Sequence, residues 1–475
     1  MKKIIFPVRN FSYFLRSVIL AAVLLAGSAP AFGQTAFTLG DLVVSTYGAT
    51  GGYMNGTLQS TSLDGVPTPV SLEEFTTNGT LVMTDTLPTT DSGSNLGLVG
   101  EYGSSSEANL ELTGDGHSLV IAGYDADPSI AGTGSPGGLG YYNANPDGVD
   151  ALAQSTDTNV PRVVAVIGAN GVANITTVVN DIYSTNNPRS VWSANGTVLY
   201  LAGQGGGSTD QGNFLVHEGN NTVTGGSPAP TPISTNTALS TRIITGYSGN
   251  LYYSVDQKNV ATGIYEYSGL PTSAVAATPI TPANNGLSGS SLIAYSPDGF
   301  YFANNTTLYI ADTGSPKNKA LGDGGIQKWS LVGSTWVLDY TLTPSNFVQN
   351  YNDKTSNLTD GEVGFESIAG QVVNGTVNLF AVSYTIGDAD QDGLYAISDN
   401  LSATTETGED ANFAEIATAP GVGSASSNLS TPGGEVFKSV SFAPTPVPEP
   451  ATYALFGGLA ALAAAAFRNR RKIAG

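Results

Sequence analysis

The sequence predicts an all-β protein, a ring of small antiparallel sheets. Two features of the 475 residues carry that expectation. The apolar runs are short, aromatic and β-branched, with no sustained helical period, and Asn-Gly or Asp-Gly pairs separate them. One unit, a strand, a tight glycine turn and a second strand, also recurs along the chain. Repeated sheet units of this kind build a β-propeller or another radial β array.

In chain order the units are ANLELTGDGHSLVIAGY, RSVWSANGTVLYLAG, RIITGYSGNLYYSVD, SLIAYSPDGFYFAN and FESIAGQVVNGTVNLFAVSY. Their turns, GDG, ANG, YSGN, PDG and VNG, supply the positive φ that a tight hairpin needs. The units start near Ala108, Arg189, Arg242, Ser291 and Phe365, a mean spacing of about 64 residues, long for four short strands but reasonable once loops are included. Outer strands follow each pair: VSLEEFTTNGTLVMTDTLP, VVAVIGANGVANITTVV, NFLVHEG, GIYEYSG, IQKWSLVGSTWVLDYTL and GLYAIS. A sixth unit is split between the chain ends. VFKSVSFAP (residues 436–444) has no partner after it, and GDLVVSTYG has none before it. Pairing residues 437–442 with residues 42–46 would close the ring and hide two sheet edges. The expected count is six blades. Seven stays open, because the Gly-rich stretch 125–150 has room for a degenerate one.

Residues 1–33 read as an export signal. Lys2, Lys3, Arg9 and Arg16 precede an apolar run at 18–26, too short to span a bilayer, and the small residues Ala29, Ala31 and Gly33 form a cleavage zone. The mature chain then starts near Phe32 or Gln34. At the other end, the uncharged apolar stretch 451–467 is followed at once by Arg468, Arg470, Arg471 and Lys472. On physical grounds this is a single membrane helix at the lower length limit, with its basic end in the cytoplasm. Val447, Pro448, Glu449 and Pro450 stand directly before it.

Motif, apolar helix and Arg-rich terminus, in that order, resemble the PEP-CTERM sorting segment of Gram-negative bacteria. The resemblance implies recognition by an exosortase, a membrane cysteine transpeptidase or protease, with cleavage near Pro448, Glu449 and Pro450. It also implies export tied to extracellular polysaccharide. The expected division is signal 1–33, β-propeller body 34–444 and sorting segment 445–475. Through GDLVVSTYG, GGIQKWSLVGSTWVLDYTL and FKSVSFAP, the body resembles a group of exported bacterial proteins expected to be β-propellers and without assigned activity. That likeness brings no catalytic motif.

Between residues 34 and 450, nine basic residues face 38 acidic ones, a net charge of −29. Such a surface repels nucleic acid and anionic membranes. It serves solubility, and it tolerates or recruits divalent cations. With no cysteine in the chain, stability must come from a core rather than from disulfides.

The sharpest constellation is GDADQDGLYAISDN. Asp388, Asp390 and Asp392 fall at positions 1, 3 and 5 of a loop, Gly393 at 6, the Leu394 carbonyl at 7 and Asp399 at 12, the ligand spacing of a calcium loop. Asp rather than Glu at 12, and a strand in place of a second helix, depart from that pattern; the alternative is an acidic hairpin turn. Ca2+ is the one cofactor expected.

A second set comes from aligning the repeats. Asn109, Arg189 and Arg242 each stand seven residues before a turn glycine, and Glu366 and Lys438 begin the last two inner strands. Inner strands line the axial channel, so these groups either converge on a mouth suited to a carboxylate or sugar, or form salt bridges between blades. Trp192, Trp329, Trp336, Tyr252 and Tyr253 either stack on sugars or fill the core between blades. His117 is expected at a hairpin tip and His217 on an outer strand, and no nucleophile elbow accompanies them.

Three function classes follow. One is a binding or structural protein of the cell surface or of a biofilm and exopolysaccharide matrix. The second is a polysaccharide-active enzyme, the third a lactonase-like or quinoprotein-like propeller. The third would need histidine on an inner strand, and none is expected there. A non-catalytic role is favoured.

Overall fold

The computed structural model describes residues 35–48, 67–101, 104, 106–126, 152–220, 229–236, 239–257, 262–281, 296–314, 324–347, 362–385, 392–419 and 435–447, with the backbone of four residues near 55. Contacts divide the chain into Met1–Thr35 and Ala36–Gly475. Of the first unit only Thr35 is described, and everything below concerns the second.

The described residues form strands in antiparallel ladders. The first are β1 (Leu42–Tyr47), the short pair β2 (Tyr53–Met54) and β3 (Thr57–Leu58), β4 (Pro67–Phe75), β5 (Leu81–Thr86) and β6 (Val99–Glu101). Next come β7 (Glu111–Leu112), β8 (Ser118–Tyr124), β9 (Arg162–Gly168) and β10 (Ala173–Val179). Four sheets of four strands follow in strict sequence order. They are β11 (Pro188–Ser193), β12 (Val198–Gly203), β13 (Phe214–His217) and β14 (Thr231–Pro232); then β15 (Thr241–Tyr247), β16 (Asn250–Val255), β17 (Gly263–Tyr267) and β18 (Thr278–Pro279). The third is β19 (Pro297–Asn304), β20 (Thr307–Asp312), β21 (Gly325–Val332) and β22 (Thr335–Leu342). The fourth is β23 (Glu362–Val373), β24 (Thr376–Thr385), β25 (Gly393–Asn400) and β26 (Ala414–Thr418). The last strand, β27 (Val436–Phe442), returns to the start of the chain.

There β27 pairs with β1: Leu42 faces Phe442, Val44 faces Val440 and, beyond an irregularity after Ser45, Thr46 faces Phe437. Two four-strand runs result, β27-β1-β4-β5 and β7-β8-β9-β10, and β6 bridges them into one nine-stranded sheet. The strands expected as second or outer strands are present, except that FYFAN, expected as a second strand, is the end of β19, the first strand of its sheet, and β20 takes the second place.

Alternating side chains make the sheets stack. On β8, Leu119 and Ile121 enter one apolar cluster while Val120 and Ala122 enter the next. On β12, Leu199 and Leu201 point one way, Tyr200 and Ala202 the other. A strand buried on both faces in this way must lie between two neighbouring sheets. Six clusters sit between successive four-strand runs. The last joins Leu42, Val44, Phe437 and Val440 to Phe380, Val382 and Leu394, so the sheet holding both chain ends packs on β23–β26.

Four of the five expected hairpin turns are turns. Gly116, Gly196, Gly249 and Gly375 all have positive φ, between 74° and 84°. The fifth is a correction. PDG was expected to turn between SLIAY and FYFAN, but Pro297, Asp298 and Gly299 lie inside β19, and the hairpin to β20 turns after Asn304. The glycine answers a close approach instead: a Cβ on Gly299 would stand 3.0 Å from the Ser367 Cα and 3.1 Å from the Glu366 carbonyl on β23. Residues 291–295, the expected partner strand, lie outside the described residues, as does all of the Gly-rich stretch 125–150 except Asp125 and Ala126. Residues 451–467, expected as a membrane helix, also lie outside them. Among the described residues no helix is long and apolar enough to cross a membrane.

Candidate functional site

The first strands of the sheets bring polar groups together at their starting ends. Arg189 and Arg242 are each the second residue of their strand, β11 and β15, and Asp298 is the second residue of β19. Arg242 holds two carboxylates, with Nη1 2.8 Å from Asp298 Oδ2 and Nη2 2.8 Å from Asp256 Oδ2. Among the described residues Arg189 forms no ion pair. Its Nη1 donates to Ser240 Oγ at 2.7 Å and the Thr241 carbonyl at 3.1 Å, and its Nη2 to Gln204 Oε1 at 2.7 Å. Burial, with the like charge of Arg242 nearby, lowers Arg189 to about 10. Burial would lower Arg242 too, but Asp298 and Asp256 outweigh it and hold that guanidinium above its ordinary value.

A second group holds more acid than base. Glu366 and Asp392 are buried beside Lys438, around a cavity of ≈ 10 Å³ that Ser383, Tyr384, Thr385 and Val436 complete. Burial pushes both carboxyls well above the usual range, against the pull of Lys438. Asp392 also accepts the Phe437 N–H at 3.1 Å. The Lys438 ammonium sits 5.7 Å from the Tyr47 ring centre. Glu107 adds a buried carboxylate that accepts from Tyr124, Tyr47 and Asn187 and from the Glu101 N–H.

Uncharged links stitch the same strands together. Asn109 Nδ2 donates to Ser190 Oγ at 3.1 Å, and Ser439 Oγ donates to Asn109 Oδ1 at 3.0 Å. The Ile244 N–H donates to Ser190 Oγ, and the Ser367 and Ser439 hydroxyls stand 2.9 Å apart. Of the five residues expected to line a channel, Asn109, just ahead of β7, and Arg189 and Arg242 each bond across to a neighbouring sheet, while the Nε of Arg189 and of Arg242 is buried without a partner among the described residues. Sequence reasoning missed Asp298, Asp256, Asp392 and Glu107 in this set. One signal for Asp298 existed: it stands seven residues before Asn305, the offset of Arg189 and Arg242 to their turns. Taking PDG as a turn concealed it.

The calcium loop fares differently. Asp388 and Asp390 lie outside the described residues. Leu394 is buried in β25, paired with Val382 and Ala417. Asp399 forms a buried ion pair with Lys328, with Nζ 2.9 Å from Oδ2. Seven residue steps along extended chain separate Asp392 from Asp399, about 23 Å at the usual strand rise, so Asp399 does not share a site with Asp392. Among the described residues no three acidic or imidazole groups cluster as a metal site.

His117 follows the β7–β8 turn as expected, and its Nδ1 lies 2.9 Å from the Thr445 carbonyl. His217 is exposed at the end of β13. Of the aromatic candidates, Trp192, Trp329 and Tyr253 are packed in the core. Tyr252 and Trp336 border a cleft between the β15–β18 and β19–β22 sheets.

Residues 446–472 match the family profile for the PEP-CTERM protein-sorting motif. This motif implies processing by an exosortase and indicates an exported, surface-sorted protein. No curated protein matches the sequence. Among solved structures the chain is similar to one in a nidogen–laminin complex, at 10% identity and TM-score 0.39, covering 85% of this chain and 100% of that one. It is similar to the β-propeller domain of the Trilobed protease from Pyrococcus furiosus, at 6% identity and TM-score 0.30, covering 78% and 84%. It is also similar to a sialidase from Trypanosoma rangeli, at 10% identity and TM-score 0.37, covering 76% of this chain and 53% of the sialidase. These likenesses are loose, and the fold described above rests on the strand pairing itself.

Proposed function

We propose that the chain is an exported six-bladed β-propeller, closed by the β1–β27 pair and released or anchored at the cell surface through its sorting motif. There it serves as a binding or structural protein of the extracellular polysaccharide layer. The motif at 446–472 is the observation that carries this reading. It begins one residue after Thr445, whose N–H and hydroxyl both donate to the Gly116 carbonyl, at 2.7 and 2.9 Å. The body is therefore pinned next to the start of the motif, and Val447 is 60% exposed. Six apolar clusters in cyclic order support six blades. Ionised groups at the strand starts that are spent on each other support a non-catalytic role.

Calcium stays part of the proposal on the alternate spacing of Asp388, Asp390 and Asp392 alone. Membrane anchoring by residues 451–467 belongs to the precursor, before the exosortase acts. A second reading, a polysaccharide-active enzyme, is favoured only by Glu366 and Asp392, two carboxyls that burial keeps inclined to hold a proton.

The test is the intact mass of the protein recovered from the medium and the surface fraction. The expected mass lacks residues 1–33 and everything after the Val447–Pro450 motif. A surface protein that still carries residues 451–475 overturns processing, and retention in the cytoplasm overturns export.

A further inference from the structure

We infer that the cleft between the second and third of the sequential four-strand sheets, β15–β18 and β19–β22, is a binding subsite for one ring of a neutral saccharide. Its volume is ≈ 230 Å³. It opens to solvent along the exposed Ser248 and Asn305, so it is a surface cleft that a ligand can enter. It falls below the roughly 300–1,000 Å³ of a drug-sized pocket and is of the right order for one monosaccharide unit.

The lining is half aromatic and half hydrogen-bonding. Phe302 forms the floor, with Tyr247 stacked on it at 4.8 Å and 13°, Tyr252 tilted at 4.6 Å and Trp336 edge-on at 6.0 Å. Tyr247 stands at the end of β15 and is only partly buried, because the chain turns at once through Ser248 and Gly249, both with positive φ. Ring faces carry partial negative charge, which attracts the weakly positive C–H face of a sugar.

Glu266 supplies the polar side. On β17 it lies directly across from Tyr252 on β16. Its Oε1 accepts from Asn250 Nδ2 at 2.6 Å and from the Tyr252 hydroxyl at 3.0 Å. Those donors fix the carboxylate, and among the described residues Oε2 has no partner. A fixed carboxylate oxygen beside an aromatic floor accepts hydroxyl protons from a sugar edge. Asn305, exposed at the β19–β20 turn, adds an amide to the same rim.

The charge selects among ligands. A carboxylate in the cleft and a net charge of −29 over residues 34–450 both disfavour uronic acids and sulfated sugars. A quaternary ammonium cage would need several ring faces turned toward one centre. Here Phe302 and Tyr247 are stacked on each other, and Glu266 is already partly compensated by two donors. A neutral hexose unit fits both facts.

The choice of saccharide rests on the reading of the chain as a surface-layer protein. The experiment uses purified exported protein on an array of neutral gluco-, galacto- and manno-oligosaccharides, uronic-acid oligomers and choline, with affinities from calorimetry. At least one neutral oligosaccharide should bind. Tyr247→Ala and Glu266→Gln should each weaken it by about 10-fold, and Glu266→Gln, being isosteric, should do so with unchanged melting. No neutral binding, binding that survives both variants, or tighter binding of uronic acids or choline each overturns the assignment. Failure of tail processing would overturn the sorting reading and leave this result standing.

Discussion

Lys328 and Asp399 offer the most demanding test of how the sheets are held together. Lys328 on β21 and Asp399 on β25 are both fully buried, 2.9 Å apart, and join two neighbouring sheets. The Tyr340 hydroxyl lies 3.1 Å from Nζ and 2.8 Å from Asp399 Oδ1, and Tyr309 donates to Oδ2. The ammonium stands 5.5 and 5.3 Å from the centres of the Tyr309 and Tyr340 rings. At an effective dielectric of about 20 the attraction at this distance is about 6 kcal/mol, largely offset by the desolvation of both ions. Removing one partner leaves the other's desolvation uncompensated. Lys328→Met leaves a carboxylate that keeps the two tyrosine hydroxyls and the Asn400 N–H, so it should cost about 3 kcal/mol. Asp399→Leu leaves an ammonium with one carbonyl, one hydroxyl and two ring faces, and should cost about 4–5 kcal/mol. The double variant buries no charge and should cost about 1–3 kcal/mol, far less than the sum. Denaturant unfolding followed by tryptophan fluorescence measures all three, with Trp329 adjacent to the site as reporter. Single variants costing under about 1 kcal/mol, or an additive double variant, would refute the reasoning.

Three further outcomes are expected. Burial and the neighbouring Glu435 raise the Glu73 carboxyl to about 7, so its stabilising contribution is full below the unfolded carboxyl range and is lost as pH rises through about 7. Melting should therefore be higher at about pH 5 than at about pH 8, and Glu73→Gln should flatten that difference; a profile the variant leaves unchanged counts against it. Deleting residues 436–444 opens the β1 edge and removes one wall of two clusters, so it should unfold or aggregate the body, and an unaltered cooperative melt would sink the closed ring. Calcium should raise the melting temperature relative to chelator in wild type and not in Asp388→Ala/Asp390→Ala; a shift absent from wild type or kept by the double variant means the segment is only an acidic turn.

The strands were legible because their signals are local. Glycines with positive φ at 116, 196, 249 and 375 announce hairpins, and the short apolar runs of β8 and β12 announce strands, which the structure buries on both faces. The partnership of residues 437–442 with 42–46 was legible for a related reason: each half lacked a neighbour in sequence. PDG misled because glycine serves two purposes, a turn or a close approach, and only the packing of β23 against Gly299 separates them. The twelve-residue acidic spacing misled at its last position because β25 is extended and carries Asp399 away to Lys328.

By itself the sequence determined the strand-and-turn alternation, the acidic body and the sorting motif, since each depends on residues close together in the chain. Tertiary structure alone decided which charges meet. Arg162, the fully buried guanidinium of β9, is bonded to the carbonyls of Val160, Tyr183, Ala153, Ser155 and Asn186, and nothing in its neighbourhood along the chain marks it as different from Arg189. Arg242 takes Asp256 from its own sheet but Asp298 from the next. The cleft of Tyr252, Glu266, Phe302 and Trp336 likewise draws on two sheets up to 84 residues apart in sequence. Strand formation follows from short-range backbone and side-chain preferences, whereas ion pairs and clefts depend on the register and stacking of whole sheets, which no local stretch encodes.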